Sequence, residues 1–159
     1  MNSFLRSEFL RVAEIVLNNF SGRTSKSLGC YICLATEEPA NIILVTELGN
    51  CSTEGAFQFC QEKALRVQKY DLISSWQNRD PANFQYGGAI SAPADSQGLS
   101  VGRKMIISVS AFSEREDEAF SLVVGKALAW ITMTDISRIA SISENGVVYR
   151  LIEKCARRF

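Results

Sequence analysis

The junction between residues 105–112, MIISVSAF, and the following SEREDEAFSLVVGKALAW constrains the fold more than any other part of this chain. The first piece is a run of strand length, rich in β-branched and aromatic side chains. The second opens with acids and continues with apolar residues at helical spacing. Ser113 followed by Glu116 fits a capping box, in which side chain and backbone satisfy two amides that the first helical turn leaves without partners. The chain therefore turns from strand to helix within one or two residues, and this helix is expected to run to about residue 131. Residues 86–92 read as a further strand, joined to 105–112 through the turn-rich stretch 93–100 as a hairpin.

The rest repeats the same alternation. Leu5, Phe9, Val12, Val16 and Phe20 mark one apolar helix face over residues 3–20. Ser21-Gly22 stops it, and a polar loop leads to residue 27. Two apolar runs, 28–36 and 42–48, flank Glu37-Glu38-Pro39-Ala40-Asn41 and read as an antiparallel hairpin. A helix over about 54–70 carries Phe57, Cys60, Ala64 and Val67 on one face, with Ser52 or Thr53 supplying the N-cap oxygen. Residues 71–83 read as a loop with one short helical turn around 72–76. Two shorter helices follow over 135–159, broken near Glu144-Asn145-Gly146. Helix, hairpin, helix, hairpin, helices is an α+β order. Its natural packing is an antiparallel sheet of four to five strands covered by helices, α/β sandwich-like. With no repeat and no linker, residues 1–159 read as a single domain with a C-terminal helical extension over about 132–159.

Formal charge is balanced, 17 basic against 17 acidic residues, which argues against a broad nucleic-acid footprint and against attachment to an anionic membrane. No apolar run reaches the roughly 18 residues of a membrane span. Arg6, Glu8, Arg11 and Glu14 interrupt the N-terminal stretch where a secretory leader needs a continuous apolar run, so no leader is expected there. Five cysteines, an odd number, fit free thiols in a cytoplasmic setting. Histidine is absent, so Ser-His-Asp and Cys-His hydrolases are excluded.

Several constellations can carry chemistry, and each has a plainer reading. Cys30 and Cys33 form a C-x-x-C, but on a strand residues three apart point to opposite faces, which favours buried inert thiols. Glu114, Glu116, Asp117 and Glu118 can bind a divalent cation or share a proton. As acids in a first helical turn they also complement the helix dipole. Gly87-Gly88 allows close backbone approach to a ligand or serves as strand punctuation. Lys63, Arg66 and Lys69, at intervals of three, read as a solvated helix face. Trp76, Phe84 and Tyr86 line a pocket for a planar ligand or plug the core.

Together these pieces resemble the GlcG/HbpS-like family, which includes the C-terminal domains of PduO-type proteins. The residues that carry the resemblance are Glu47-Leu48-Gly49 at a strand-end turn, Lys63-Ala64 in the following helix and Gly87-Gly88 before the third strand. Ser108-Val109-Ser110-Ala111 stands where the family has Gly-Val-Ser-Gly, and Asp117-Glu118 closes the block. The similarity covers about residues 5–131. It implies a profilin-like or GlcG-like sheet domain that assembles into homo-oligomers and, in some members, binds haem or related tetrapyrroles. Without histidine, iron ligation here needs Cys, Tyr, Met or an oxygen ligand.

The leading expectation is a non-catalytic oligomeric domain that binds a small planar or anionic ligand and touches neither nucleic acid nor membrane. Its site residues are Lys63, Gly87, Gly88, Ser110, Glu114 and Asp117, with no metal site and no catalytic residue assigned. The alternative is an interaction scaffold whose 145–159 helix offers Val148, Leu151, Ile152 and Cys155 to a partner or a second copy. Third comes an enzyme working through carboxylates, Lys63 or a cysteine.

Overall fold

A computed structural model describes residues 3–20, 28–36, 41–92 and 104–159. In chain order they form α1 (Ser3–Asn19), β1 (Cys30–Thr36), β2 (Asn41–Leu48), α2 (Ala56–Lys69), β3 (Ala89–Ala92), β4 (Met105–Ser110), α3 (Glu114–Ala127), α4 (Met133–Ser143) and α5 (Val147–Cys155). The four strands make one antiparallel sheet in the order β2-β1-β4-β3. The α+β class and helix-covered antiparallel sheet expected from the sequence are present. The turns expected at 37–40 and 93–100, and the helix stop at 21–22, lie outside the described residues.

Strand alternation divides the interior in two. Ile32, Leu34, Ile107 and Val109 face the larger core, where α1, α3, α4 and α5 bring Phe9, Phe120, Leu122, Ile136, Val148 and Leu151. Cys33, Ala35, Ala89 and Ile106 face the opposite side and meet Cys60, Ala64 and Val67 of α2. The fully buried centre of the α2 face is built mostly from small side chains, Cys33, Ala35 and Ala89 beside Ile106, with Tyr31, Ile42 and Val45 partly buried around it. The opposite face carries the large ones, each of which stabilises the fold by about 1.5–3 kcal/mol when fully buried. Cys30 and Cys33 separate onto the two sides as alternation requires. Burial pushes the Cys30 and Cys60 thiols well up, the state of inert cysteines.

Four sequence expectations need correction. Helix α2 starts at Ala56, later than expected, because Gly55 precedes it in the left-handed region at φ 74°. No side chain caps it there, and the Thr53 hydroxyl donates instead to the Ala111 carbonyl at 3.0 Å. The third strand begins at Ala89 and excludes residues 86–88, because Gly88 adopts φ 132°. Helix α3 ends at Ala127, four residues early. Ala129 turns left-handed at φ 57° and the Trp130 amide returns to the Gly125 carbonyl at 2.9 Å, a closure usually marked by glycine. Lastly, the apolar face of α5 is not turned to a partner: Val148, Leu151 and Cys155 are buried in the chain's own core, against α3.

Candidate functional site

The six residues expected to form a site come together, around the end of the sheet where β3 begins and β4 stops. Lys63 enters from α2, and its Nζ donates to the Val109 carbonyl at 3.0 Å, to Ser110 Oγ at 3.4 Å and to Asp117 Oδ2 at 2.8 Å. Asp117 comes from α3, on the other side of the sheet. Its Oδ1 accepts the Ala111 and Phe112 amides at 3.2 and 3.0 Å. The ion pair thus joins the two helical layers around the strand ends, and Gly88 makes the passage. A Cβ at Gly88 would stand 2.7 Å from Asp117 Cβ, 2.8 Å from the Val109 carbonyl oxygen and 2.9 Å from Lys63 Nζ.

This cluster is closed. Lys63 and Asp117 are each 2% exposed, and Ser110 is buried. Burial pushes the Asp117 carboxyl up to about 6, and the neighbouring Lys63 ammonium and two backbone amides offset that only in part. The four acids of the block do not converge on a cation. Glu116 accepts the Ser113 amide at 3.0 Å, the carboxylate half of the expected capping box, and also accepts the Ser113 hydroxyl at 2.7 Å. Glu118 is buried and accepts Ser74 Oγ at 2.5 Å, Asn145 Nδ2 at 3.1 Å and the Ser143 hydroxyl. Desolvation raises its pKa, against the lowering by these neutral donors. Among the described residues, no three His, Cys, Asp or Glu side chains are grouped to hold a metal ion.

Glu114 and Gly87 open outward from the closed cluster. Glu114 Oε1 accepts the Gly87 amide at 2.9 Å, while its Oε2 accepts Arg79 Nε at 2.7 Å and lies 2.6 Å from Arg79 Nη2. Arg79 Cζ is 4.9 Å from the Trp76 ring centroid and Arg115 Cζ is 5.8 Å from it. Trp76, Arg79, Ser113, Glu114 and Arg115 line an open concavity of about 370 Å³. Trp76 is set there by a short 3-10 helix, Ser75–Asn78, whose N-cap Ser74 accepts the Trp76 amide at 3.1 Å and is itself tied to Glu118. Arg115 is steadied on the other side, through its Nε to the Ser143 carbonyl at 3.1 Å and its own carbonyl to Asn145 Nδ2 at 2.7 Å.

Arg66 supplies a third guanidinium. It was expected on a solvated face with Lys63 and Lys69, yet Lys63 and Arg66 are buried and Lys69 alone is exposed. Spacing by threes places residues on one helix side but does not say whether that side meets water. Arg66 Nη2 donates to the Ser75 carbonyl at 3.4 Å and to the Tyr86 carbonyl, beside Trp76 and Gly87, while its Nε has no partner. The sequence reading missed Arg66, Arg79 and Arg115 as site residues. Arg79 falls in the stretch that reads as a loop, the spacing of Arg66 points to a solvated face, and no local pattern marks Arg115. Of the three aromatics considered together, Trp76 belongs here. Phe84 and Tyr86 instead pack with Phe59, at centroid distances of 6.3 and 5.2 Å from it.

Comparison of the sequence with family profiles and with curated proteins finds no match. Comparison of the structure does. The Klebsiella pneumoniae protein ORFY, of the DUF336 family, superposes with a TM-score of 0.60 at 7% identity, over 83% of this chain and 92% of that one. The PduOC protein, solved as a haem complex, superposes with a TM-score of 0.58 at 9% identity, over 83% of this chain and 95% of that one. An antiparallel sheet between one helix and a helical layer defines the class as α+β. Within that class, the fold is that of the GlcG and PduO C-terminal-like domains.

Proposed function

We propose that this chain is a non-catalytic binding module for a small planar anion, taken at the Trp76–Arg79–Arg115 concavity next to the Gly87 amide. The observation that carries this reading is the pair of guanidiniums on one indole, Arg79 and Arg115, which line the concavity together with a single carboxylate, that of Glu114. A guanidinium stacked on an aromatic face keeps its in-plane N–H donors available to an anion. The concavity lies within the size range of small-molecule sites. The buried Lys63–Asp117–Ser110 cluster acts beneath it as scaffold, because its donors are already used.

The haem bound by the similar PduOC protein gives one class of planar anion to weigh. The lining residues Trp76, Arg79, Ser113, Glu114 and Arg115 include no imidazole, thiol, thioether or phenol. They suit the carboxylate edge of such a molecule, and for its iron they offer oxygen ligands alone, Ser113 and a Glu114 already paired with Arg79. No step is therefore assigned to a metal. Titration with haemin and with metal-free protoporphyrin, followed by the Soret band and by Trp76 fluorescence, tests the reading. Both are expected to bind with similar, saturable affinity, and Arg79→Gln to abolish it. No saturable change with either compound would end the proposal.

Self-association belongs to the same proposal. It is supported by the rings of Phe57 and Phe84 at the surface, the latter 63% exposed in a left-handed turn at φ 56°. A monomer mass in sedimentation equilibrium at high micromolar concentration would remove it.

A further inference from the structure

Resting on the binding reading above, we infer that the anionic group recognised is a carboxylate, and that the Glu114 side chain occupies its seat as a tethered competitor. Three donors define the seat: the Gly87 amide on one oxygen, and Arg79 Nε and Nη2 on the other, at 2.9, 2.7 and 2.6 Å. A flat two-oxygen group already fits them, so the donor set is one that a ligand carboxylate can inherit atom for atom.

Two features make Glu114 displaceable. Its side chain is partly exposed, and so is that of Arg79, so the seat opens to solvent and the pair contributes little to stability. The Asp117 carboxylate three residues on shows the contrast, sealed with its lysine at 3% side-chain exposure. Cationic charge also remains when Glu114 leaves. Arg115 stays over the Trp76 ring, and its one carboxylate contact is the 3.8 Å approach to the well-exposed Glu144. Gly87 is fitted to its part as well. A Cβ there would lie 2.4 Å from the Trp76 ring, so the bare backbone lets the amide sit against the indole edge.

A tethered carboxylate competes at an effective concentration in about the millimolar range, so a free monocarboxylate binds the unaltered protein weakly. Glu114→Gln keeps an oxygen for the Gly87 amide but gives up the charge pairing with Arg79. The test titrates 2-naphthoate, a planar monocarboxylate, into wild type, Glu114→Gln, Glu114→Ala and Arg79→Gln at low salt, reading Trp76 fluorescence and heat. Inorganic phosphate serves as the tetrahedral comparator, and near-ultraviolet dichroism confirms that each variant is folded.

The expected result is naphthoate binding at least about tenfold tighter in Glu114→Gln than in wild type. It should be lost in Arg79→Gln, with a smaller gain for phosphate. Equal affinity in wild type and both Glu114 variants, with loss in Arg79→Gln, would overturn the competitor inference and leave the binding module standing. An equal gain for phosphate would overturn the carboxylate assignment. If no variant binds naphthoate or protoporphyrin, both readings fall.

Discussion

Lys63 Nζ and Asp117 Oδ2, from helices on opposite sides of the sheet, meet at 2.8 Å with both side chains buried. The pair works as a cross-tie between α2 and α3. Breaking one partner of a buried pair costs more than the pair itself contributes, because the remaining charge is left desolvated.

Lys63→Met is therefore expected to lower stability at pH 8 by about 3–5 kcal/mol, read as a fall in urea midpoint. The deficit should shrink below pH 6, where the stranded Asp117 carboxyl takes up a proton. An unchanged midpoint at pH 8 would remove the cross-tie from the account.

Wild-type stability should fall as pH rises from 4 to 7. The folded-state value for Asp117, about 6, stands above its ordinary 3.8. Its contribution is thus complete below about pH 4 and is lost as pH rises through 6. Glu118, also raised by burial, acts in the same direction. Melting temperatures across this range in wild type and Asp117→Asn should show a shallower slope in the variant. A wild-type melting temperature that climbs over the same range would contradict this.

Gly88→Ala and Gly146→Ala make a matched pair. At position 88 the backbone has φ 132° and a Cβ would press on Asp117 and on the Val109 carbonyl. Strain alone contributes about 1–3 kcal/mol, and the contact adds to it, so severe destabilisation is expected. At position 146, φ is −72° and a Cβ would meet nothing within 4 Å, so the change should stay within about 0.5 kcal/mol. Similar melting curves for the two variants would count against the passage role of Gly88.

Leu151→Ala should destabilise the monomer fold by about 2–5 kcal/mol, since Leu151 sits in the core shared with α3. Removal of residues 144–159 should leave the protein unfolded, measured by loss of dichroism. A shortened chain that stays folded would return α5 to the role of a partner-facing helix.

Much of the architecture was legible because it is written in local patterns. Alternation assigned Cys30 and Cys33 to opposite faces. The Ser113–Glu116 box located the start of α3, and Glu144-Asn145-Gly146 located the break between α4 and α5. Element ends were less legible where an unusual backbone conformation fell on a residue that does not advertise it. Ala129 ends α3 in the left-handed region without a glycine. In the site, the cluster members drew attention through type and spacing, but their state did not. Lys63 looked solvated from its helical interval and proved to be sealed.

The sequence by itself determined the element order and the antiparallel hairpins, because periodicity and capping act over a few residues, while helix packing on both faces of the sheet came from the tertiary structure. Only the tertiary structure decided which charges meet. Lys63 and Asp117 are 54 residues apart, Arg79 and Glu114 are 35 apart, and Ser74 and Glu118 are 44 apart. Partner choice over such separations follows from how α2, α3 and the strand ends pack. That packing sealed one carboxylate beneath Gly88 and left another, Glu114, at the surface between Gly87 and Arg79.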